Sequence, residues 1–165
     1  MNRRKPRTPD EIAAIYERQM PTVWRVCRTY MKRTADTEDA AADTFAALIR
    51  SSPEFENPEH EKAWLIRTAS NVCKNMLRRA SRRDESLEEL DGNGPEFAAP
   101  EEDEETRALR DAVDRLPERC RIVVYLYYYE GYSTDEIAKL LKRPPSTVRN
   151  QLSDARKLLR ERLGE

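Results

Sequence analysis

Apolar residues recur along most of this chain at spacings of three and four, which is the period of one face of an α-helix. Between 133 and 163 they form two such stripes, one on each side of a proline pair. The stripes consist of Ile137, Leu140 and Leu141, and of Val148, Leu152, Ala155 and Leu159. No long run alternates at the two-residue period of a strand, and the chain holds only 4 glycines. The pattern therefore predicts an all-α protein.

Three further stripes lie upstream. Their members are Ala41, Phe45, Leu48 and Ile49; Ala63, Leu65, Ile66, Ala69, Val72, Cys73, Met76 and Leu77; and Leu116, Ile122, Val123 and Leu126. Each stripe predicts a helix with one buried face. We expect Tyr127 to Tyr129, which lie on the helix leading into the C-terminal helix pair, to be packing aromatics rather than a base-stacking platform, and Trp64 to be a core residue rather than a stacking one.

Local chemistry marks the ends of the two C-terminal helices. Ser133 and Glu136 form a capping box at the start of the first. The sequence "KRPP" ends that helix, because proline cannot continue a helix but is tolerated at the start of the next one. The second helix is expected to run from about 146 to 162. Two short helices joined by a tight turn are the plan of a helix-turn-helix, and an ordinary helical hairpin with a polar face is the alternative.

Polar side chains occupy the outward faces of these predicted helices. Those of the last helix suit base edges and phosphates in a major groove: Ser146, Thr147, Arg149, Asn150, Ser153, Arg156 and Lys157. Those of the helix over 62–83 are basic groups interleaved with amides, which suits a single strand: Arg67, Ser70, Asn71, Lys74, Asn75, Arg78 and Arg79. The helix over 36–50 places Glu38, Asp39, Asp43 and Thr44 on its surface.

Charge divides the chain into three blocks. Residues 1–83 carry 17 Lys/Arg and 11 Asp/Glu, residues 84–115 carry 3 and 13, and residues 116–165 carry 10 and 7, for a net charge of −1. The acidic block cannot bury enough apolar surface to offset the entropy of ordering. We therefore expect two small helical domains, 1–80 and 105–165, joined by a flexible acidic linker over 81–104. The linker is either a solvated spacer or a shield for the basic faces.

Several kinds of chemistry are not indicated. The 3 cysteines lie far apart, the chain has 1 histidine, and no zinc, nucleotide-phosphate or metalloprotease motif is present. We expect buried structural thiols, no metal, no cofactor, no small-molecule substrate and no enzymatic activity. The longest apolar run, 122–129, is too short to span a membrane, and no apolar segment follows the basic N-terminus. We expect a cytoplasmic protein without membrane insertion.

Residues 116–159, "LPERCRIVVYLYYYEGYSTDEIAKLLKRPPSTVRNQLSDARKLL", resemble region 4 of bacterial RNA polymerase sigma factors. "DTEDAAADTFAALIR" and "AWLIRTASNVCKNMLRR" resemble region 2 of the same family. Both occur in the family's order, and with no room for other regions the chain is similar to the extracytoplasmic-function group. Two positions depart from the family pattern. Lys142 stands where the turn usually has glycine, and Asp154 stands where a basic or aromatic residue is frequent.

The resemblance implies a division of roles. The helix-turn-helix set would read the −35 promoter element, and the set on 62–83 would capture and open the −10 element. Glu38, Asp39, Asp43 and Thr44 would grip core RNA polymerase, and the loop over 51–62 would take a flipped base. The implied partners are core RNA polymerase, promoter DNA and an anti-sigma factor.

Two other classes of protein remain open at this point. A stand-alone helix-turn-helix regulator explains 116–163 but leaves 36–79 without a role, and it usually needs a dimer, for which no seam is visible. A helical interaction module without a DNA role is the third class.

Overall fold

The structure is a computed structural model that describes residues 5–82 and 103–164. These residues form seven α-helices and one short π-helical turn and contain no strand, which confirms the all-α prediction. The helices belong to two compact units, Met1–Gly94 and Pro95–Glu165. Most of the predicted linker, 81–104, lies outside the described residues.

Three helices make up the described part of the N-terminal unit: α1 (Pro9–Tyr30), α2 (Thr34–Ser51) and α3 (Pro58–Arg82). Each packs against the other two. Their core includes the fully buried Val23, Val26, Leu48, Leu65 and Ile66. Burial of one such side chain contributes about 1.5–3 kcal/mol, so the core fixes which face of α3 points outward.

The C-terminal unit contains α4 (Glu104–Asp114), α5 (Glu118–Val124), a π-helical turn (Tyr125–Tyr129), α6 (Thr134–Leu141) and α7 (Pro145–Leu163). α7 packs against α4, α5 and α6. The predicted capping box is confirmed. The Glu136 N–H donates to the Ser133 hydroxyl at 3.1 Å, and the Ser133 N–H donates to the Glu136 carboxylate at 3.0 Å. The box fixes where α6 starts.

The π-helical turn changes which tyrosines face the core. The N–H of Glu130 donates to the carbonyl of Tyr125, five residues back, at 3.2 Å, so the turn holds one residue more than an α-helical turn. Leu126 is fully buried, but Tyr128 and Tyr129 are 57% and 60% exposed. The expectation that the tyrosines pack into the core is therefore wrong for Tyr128 and Tyr129.

Other predicted core residues have mixed outcomes. Cys27, Cys73 and Cys120 are fully buried, as predicted. Burial raises the pKa of the Cys120 thiol, which keeps it protonated at neutral pH. Ile49, assigned to the buried stripe of α2, is 54% exposed, and Trp64 is only half-buried.

Candidate nucleic-acid interface

The core-facing stripe of α7 fixes the opposite, polar face. Val148, Leu152 and Ala155 are buried. Of the predicted contact residues, the exposed ones are Ser146, Arg149, Asn150, Ser153 and Lys157, while Thr147 and Arg156 are half-buried. The first turns of α7 therefore offer guanidinium, amide and hydroxyl groups to a ligand, which are the groups that bond base edges and phosphates.

The turn that leads into α7 is tight and strained at one residue. Lys142 follows α6 with φ 54° and ψ 49°, in the left-handed region, which costs a residue other than glycine about 1–2 kcal/mol. The strain expected from the sequence is thus present. Arg143 then ties the turn to its neighbours, because its Nη1 donates to the carbonyl of Arg119 at 3.1 Å and to the side chain of Gln151 at 2.9 Å.

Arg156 differs from the other predicted contacts because another element holds it. Its Nε donates to the hydroxyl of Tyr128 at 2.7 Å. Its guanidinium carbon lies 5.5 Å from the ring centroid of Tyr127 and 5.8 Å from that of Tyr128, within cation–π range. The hydrogen bond to Tyr128 raises the pKa of Arg156. The tyrosines thus form one cluster with Arg156.

The outward face of α3 carries a row of exposed polar side chains. Its members are Arg67, Asn71, Asn75, Arg78 and Arg79. Their spacings of four, four, three and one place them on one side of the helix. Lys74 lies beside the row and is half-buried. The row spans about 18 Å, because a helix rises about 1.5 Å per residue.

Two predicted surface contacts are wrong as surface residues. Ser70 is 1% exposed and Thr44 is 0% exposed. The Thr44 hydroxyl donates to the carbonyl of Ala40 at 2.8 Å, which satisfies it inside the helix and lets it be buried. The Thr44 side chain can therefore lie on the core side of α2, although its polarity predicts a surface position. Neither residue can make the direct contact assigned to it without a rearrangement.

Three of the four α2 residues predicted to contact polymerase lie on the surface of the helix. Glu38, Asp39 and Asp43 are exposed. Asp39 and Asp43 lie one turn apart and Glu38 adjoins Asp39, so the three form an acidic row. The exposed Ile49 lies farther along the same helix.

A buried carboxylate anchors the first turn of α3. Glu61 is 5% exposed and accepts hydrogen bonds from Arg18 at 2.8 and 2.7 Å and from Gln19 at 2.9 Å. Burial acts to raise the pKa of Glu61, but the hydrogen bonds from Arg18 and Gln19 outweigh it and hold the pKa below its usual value. These partners are 43 and 42 residues away along the chain, so the helix pattern gave no signal of them.

The loop between α2 and α3 is organised around Phe55. The Arg7 guanidinium lies 4.9 Å from the centroid of the Phe55 ring, and it also donates to the carbonyl of Pro53. His60 and Trp64 meet the same ring edge-on, at centroid distances of 5.5 and 5.9 Å. The loop lies immediately before α3, whose outward face carries the polar row.

Other kinds of site are not formed by the described residues. Residues 5–82 and 103–164 contain no group of three or more His, Cys, Asp or Glu that could hold a metal ion. Among the helices of the same two ranges, none is both long and apolar enough to cross a bilayer.

Family models match both units. The model described as "Sigma-70 region 2" matches residues 15–83, and "Sigma-70, region 4" matches residues 106–159. The chain is similar to RNA polymerase sigma factor CarQ of Myxococcus xanthus, with 29% identity over all of this chain and 96% of the relative. It is also similar to RNA polymerase sigma factor SigV of Bacillus subtilis, with 28% identity over 85% of this chain and 83% of the relative.

Solved structures show the same fold. The sigma factor RpoE of Bartonella quintana, in complex with the anti-sigma factor NepR, matches with a TM-score of 0.73 and 19% identity over 93% of this chain and 97% of that one. CnrH in complex with the cytosolic domain of CnrY matches with a TM-score of 0.61 and 21% identity over 95% and 90% of the two chains.

Proposed function

The chain belongs to the extracytoplasmic-function group of RNA polymerase sigma factors, and we propose from this membership that it binds core RNA polymerase and directs promoter recognition, melting and transcription initiation. One observation carries the proposal. Both family regions are present in the family's order. In agreement with this, each unit presents a helix face with exposed arginine and asparagine. A stand-alone helix-turn-helix regulator would leave the face on α3 without a role.

The face of α7 is assigned to the −35 element. Arg149 and Asn150 lie near the start of a helix that follows a tight turn, which is where a recognition helix meets base edges. Arginine suits guanine and asparagine suits adenine, each through two hydrogen bonds. Ser153 and Lys157, farther along the same face, are assigned to the phosphate backbone.

The face of α3 is assigned to the −10 element. Its row of Arg67, Asn71, Asn75, Arg78 and Arg79 can follow a single strand, because the arginines attract phosphates and the amides bond bases that are no longer paired. The Phe55 loop before α3 is assigned to the flipped base, whose extrusion from the stack exposes its pairing edge. Lys74, half-buried beside the row, is a secondary contact.

The acidic row of α2, Glu38, Asp39 and Asp43, is assigned to core polymerase. An exposed row of carboxylates gives steering and specificity toward a basic partner surface. The polymerase then performs the chemistry, and this chain acts as a specificity factor in the cytoplasm without catalytic residues of its own. An anti-sigma factor is the proposed regulatory partner, as NepR is for the sigma factor RpoE.

The small net charge suits this division. A protein that neutralises few phosphates binds DNA weakly at physiological salt, so a chain of net charge −1 would not coat the chromosome by itself. Two weak contacts that a large enzyme holds at a fixed separation act together through effective concentration. Specific binding is then expected of the assembly rather than of the separate chain.

Run-off transcription with purified bacterial core polymerase tests the proposal. A promoter would first be selected from a randomised pool by the polymerase and this chain together. Addition of the chain should produce a discrete transcript that core polymerase alone does not make. Tight, sequence-specific duplex binding by the chain at physiological salt, together with failure to bind the polymerase, would instead support the stand-alone regulator.

A further inference from the structure

Tyr128 occupies an unusual position for a large aromatic residue. It is 57% exposed, it lies in the π-helical turn, and its hydroxyl accepts a hydrogen bond from Arg156 on α7. Tyr129, beside it, is 60% exposed but stacks on Tyr125 instead, with ring centroids 5.2 Å apart. The hydrogen bond to Arg156 thus joins Tyr128 to the candidate DNA face.

Arg156 lies on the same side of α7 as Arg149. The two are seven residues apart, which is close to two helical turns, so their side chains leave the helix in nearly the same direction. Arg156 lies about 10 Å farther along the helix from its start. In a helix-turn-helix the first turns meet base edges, while residues farther along face the DNA backbone. Arg156 is therefore placed for a phosphate rather than for a base.

The tyrosine contact fixes how the guanidinium is presented. Arginine carries five N–H donors in a planar fork, and the contact to Tyr128 uses the one on Nε. The rings of Tyr127 and Tyr128 stand nearly perpendicular, at 79°, and both lie within cation–π distance of the guanidinium. The terminal edge of the fork, Nη1 and Nη2, is the edge that can meet two phosphate oxygens together.

We propose that Tyr128 and Arg156 form a composite phosphate site, in which Tyr128 is a positioning residue for Arg156 on duplex DNA. The Tyr128 hydroxyl accepts from Nε and so fixes the direction in which the guanidinium points. The aromatic cluster holds the long arginine side chain in one arrangement, so less rotamer entropy is lost when the phosphate binds. The inference rests on the proposed function, because it takes the outward face of α7 as the duplex-binding face.

The site also accounts for how this face binds a phosphate despite Asp154. Asp154 is exposed, two residues before Arg156, and a carboxylate there repels phosphate. Because residues two apart on a helix do not face each other, Arg156 does not turn toward Asp154, and the tyrosine contacts hold its positive charge at a defined position. Tyr128 thus keeps Arg156 directed to the DNA.

The test compares full-length variants that differ by one hydroxyl. Tyr128→Phe removes the acceptor for Arg156, and Tyr129→Phe is the matched control, since both tyrosines are similarly exposed in the same turn. Binding to a short mixed-sequence duplex would be measured over a series of low salt concentrations, because a phosphate contact does not depend on base sequence. Thermal unfolding of each variant reports any loss of structure.

Tyr128→Phe should weaken duplex binding about 5-fold, and Tyr129→Phe should leave it unchanged. Arg156→Ala should weaken binding further and reduce the slope of log K against log salt by about 0.9. Tyr128→Phe should have no additional effect in an Arg156→Ala or Arg156→Lys background, since the tyrosine acts through the Nε of the arginine. A purely structural role for Tyr128 would instead lower the unfolding temperature equally in all backgrounds.

Two results would overturn the proposal. One is Tyr128→Phe binding as tightly as Tyr129→Phe, and the other is tighter binding, which would mean that the tyrosine withholds Arg156 from DNA. Run-off transcription by the same variants distinguishes failure of the phosphate site from failure of the proposed function. If wild type supports run-off but Tyr128→Phe leaves duplex binding unaltered, only the phosphate site fails. If the tyrosine effect on duplex binding is present but no variant supports run-off, only the sigma-factor assignment fails.

Discussion

The N-terminal and C-terminal units present chemically similar helix faces, but they support them differently. The polar row of α3 extends over three turns of a helix that packs against α1 and α2. Glu61, Arg18 and Gln19, here called the Glu61 triad, lie at the first turn of that helix. In α7 the arginine and asparagine lie near the helix start, after a turn that contains a strained Lys142. Arginine and asparagine alone do not distinguish a single-strand reader from a duplex reader, so the proposed division rests on their placement relative to the helix start.

The largest expected effect concerns the duplex face. Arg149→Ala should cost about 1–3 kcal/mol of promoter binding, or roughly 5- to 150-fold, on a promoter with an intact −35 element. The effect should disappear when that element is scrambled, because the base contact has already been lost. Filter binding of the polymerase assembly measures it, with Lys157→Ala as a control that should weaken all promoters alike. Loss that ignores the −35 sequence would contradict the assignment.

The next effect concerns the support of α3. Glu61→Ala leaves the buried Gln19 without this acceptor, while the half-exposed Arg18 can turn to water, so we expect a loss of about 2 kcal/mol. Tm should fall by about 10 °C for a unit of this size. Alkylation rates give a unit-specific measurement, since Cys27 and Cys73 report the N-terminal unit and Cys120 the other. Faster labelling of Cys120 alone would contradict the prediction, because it would show that the variant destabilises the C-terminal unit.

Acid should act on the same triad. The Glu61 pKa lies below its unfolded value of about 4.5, so its contribution to stability is fully present above that pH and is lost as the pH falls through the folded-state pKa. Glu61→Gln should therefore flatten the acid dependence of N-terminal unfolding. Thermal melts followed by thiol labelling between neutral pH and below pH 4.5 would show this. An unchanged acid profile in the variant would show that another carboxylate controls it.

A smaller effect concerns the single-strand face. Asn71→Ala removes one amide from the row on α3 and should weaken opening of a promoter about 5-fold, as expected for one net hydrogen bond. The loss should depend on the −10 sequence and be insensitive to the −35 sequence, which is the reverse of Arg149→Ala. Permanganate footprinting of the unpaired thymines measures it. Equal sensitivity to both elements would remove the contrast between the two faces.

The smallest effect has the opposite sign. Lys142→Gly removes the cost of the left-handed backbone but adds freedom to the unfolded chain, so the C-terminal unit should gain about 0.5–1 kcal/mol. Cys120 should then react more slowly, and Cys27 and Cys73 at their original rates. A destabilised variant would show that the lysine side chain makes a contribution larger than the strain.

Local features of this fold could be predicted from the sequence, and long-range ones could not. The capping box of Ser133 and Glu136 depends on residues three apart, and the stripe of Val148, Leu152 and Ala155 reports directly on the buried face of α7. The Glu61 triad could not be predicted, because nothing in the local sequence identifies Arg18 and Gln19 on α1 as the partners of Glu61. Helical periodicity also says nothing about hydroxyls that bond inside the helix, so Thr44 was placed on the surface.

The candidate site shows the same division. The sequence predicts which arginines and asparagines of α3 and α7 are exposed, because they occupy the helix positions that the apolar stripes leave. The sequence does not predict the contact of Tyr128 with Arg156, because that contact depends on a helix that departs from the 3.6-residue period at one turn. The expectation that Tyr128 and Tyr129 pack rests only on their place in the helix leading into the helix-turn-helix, which does not say which side of that helix they occupy.

That turn also makes chain length matter at one place. The π-helical turn holds one residue more than an α-helical turn, so removal of one residue between Tyr125 and Tyr129 would restore regular winding and leave α6 and α7 close to their present orientation. A substitution there changes one side chain, whereas a deletion would change which tyrosine faces Arg156. The spacing of this segment therefore constrains the protein at least as strongly as the identity of its tyrosines.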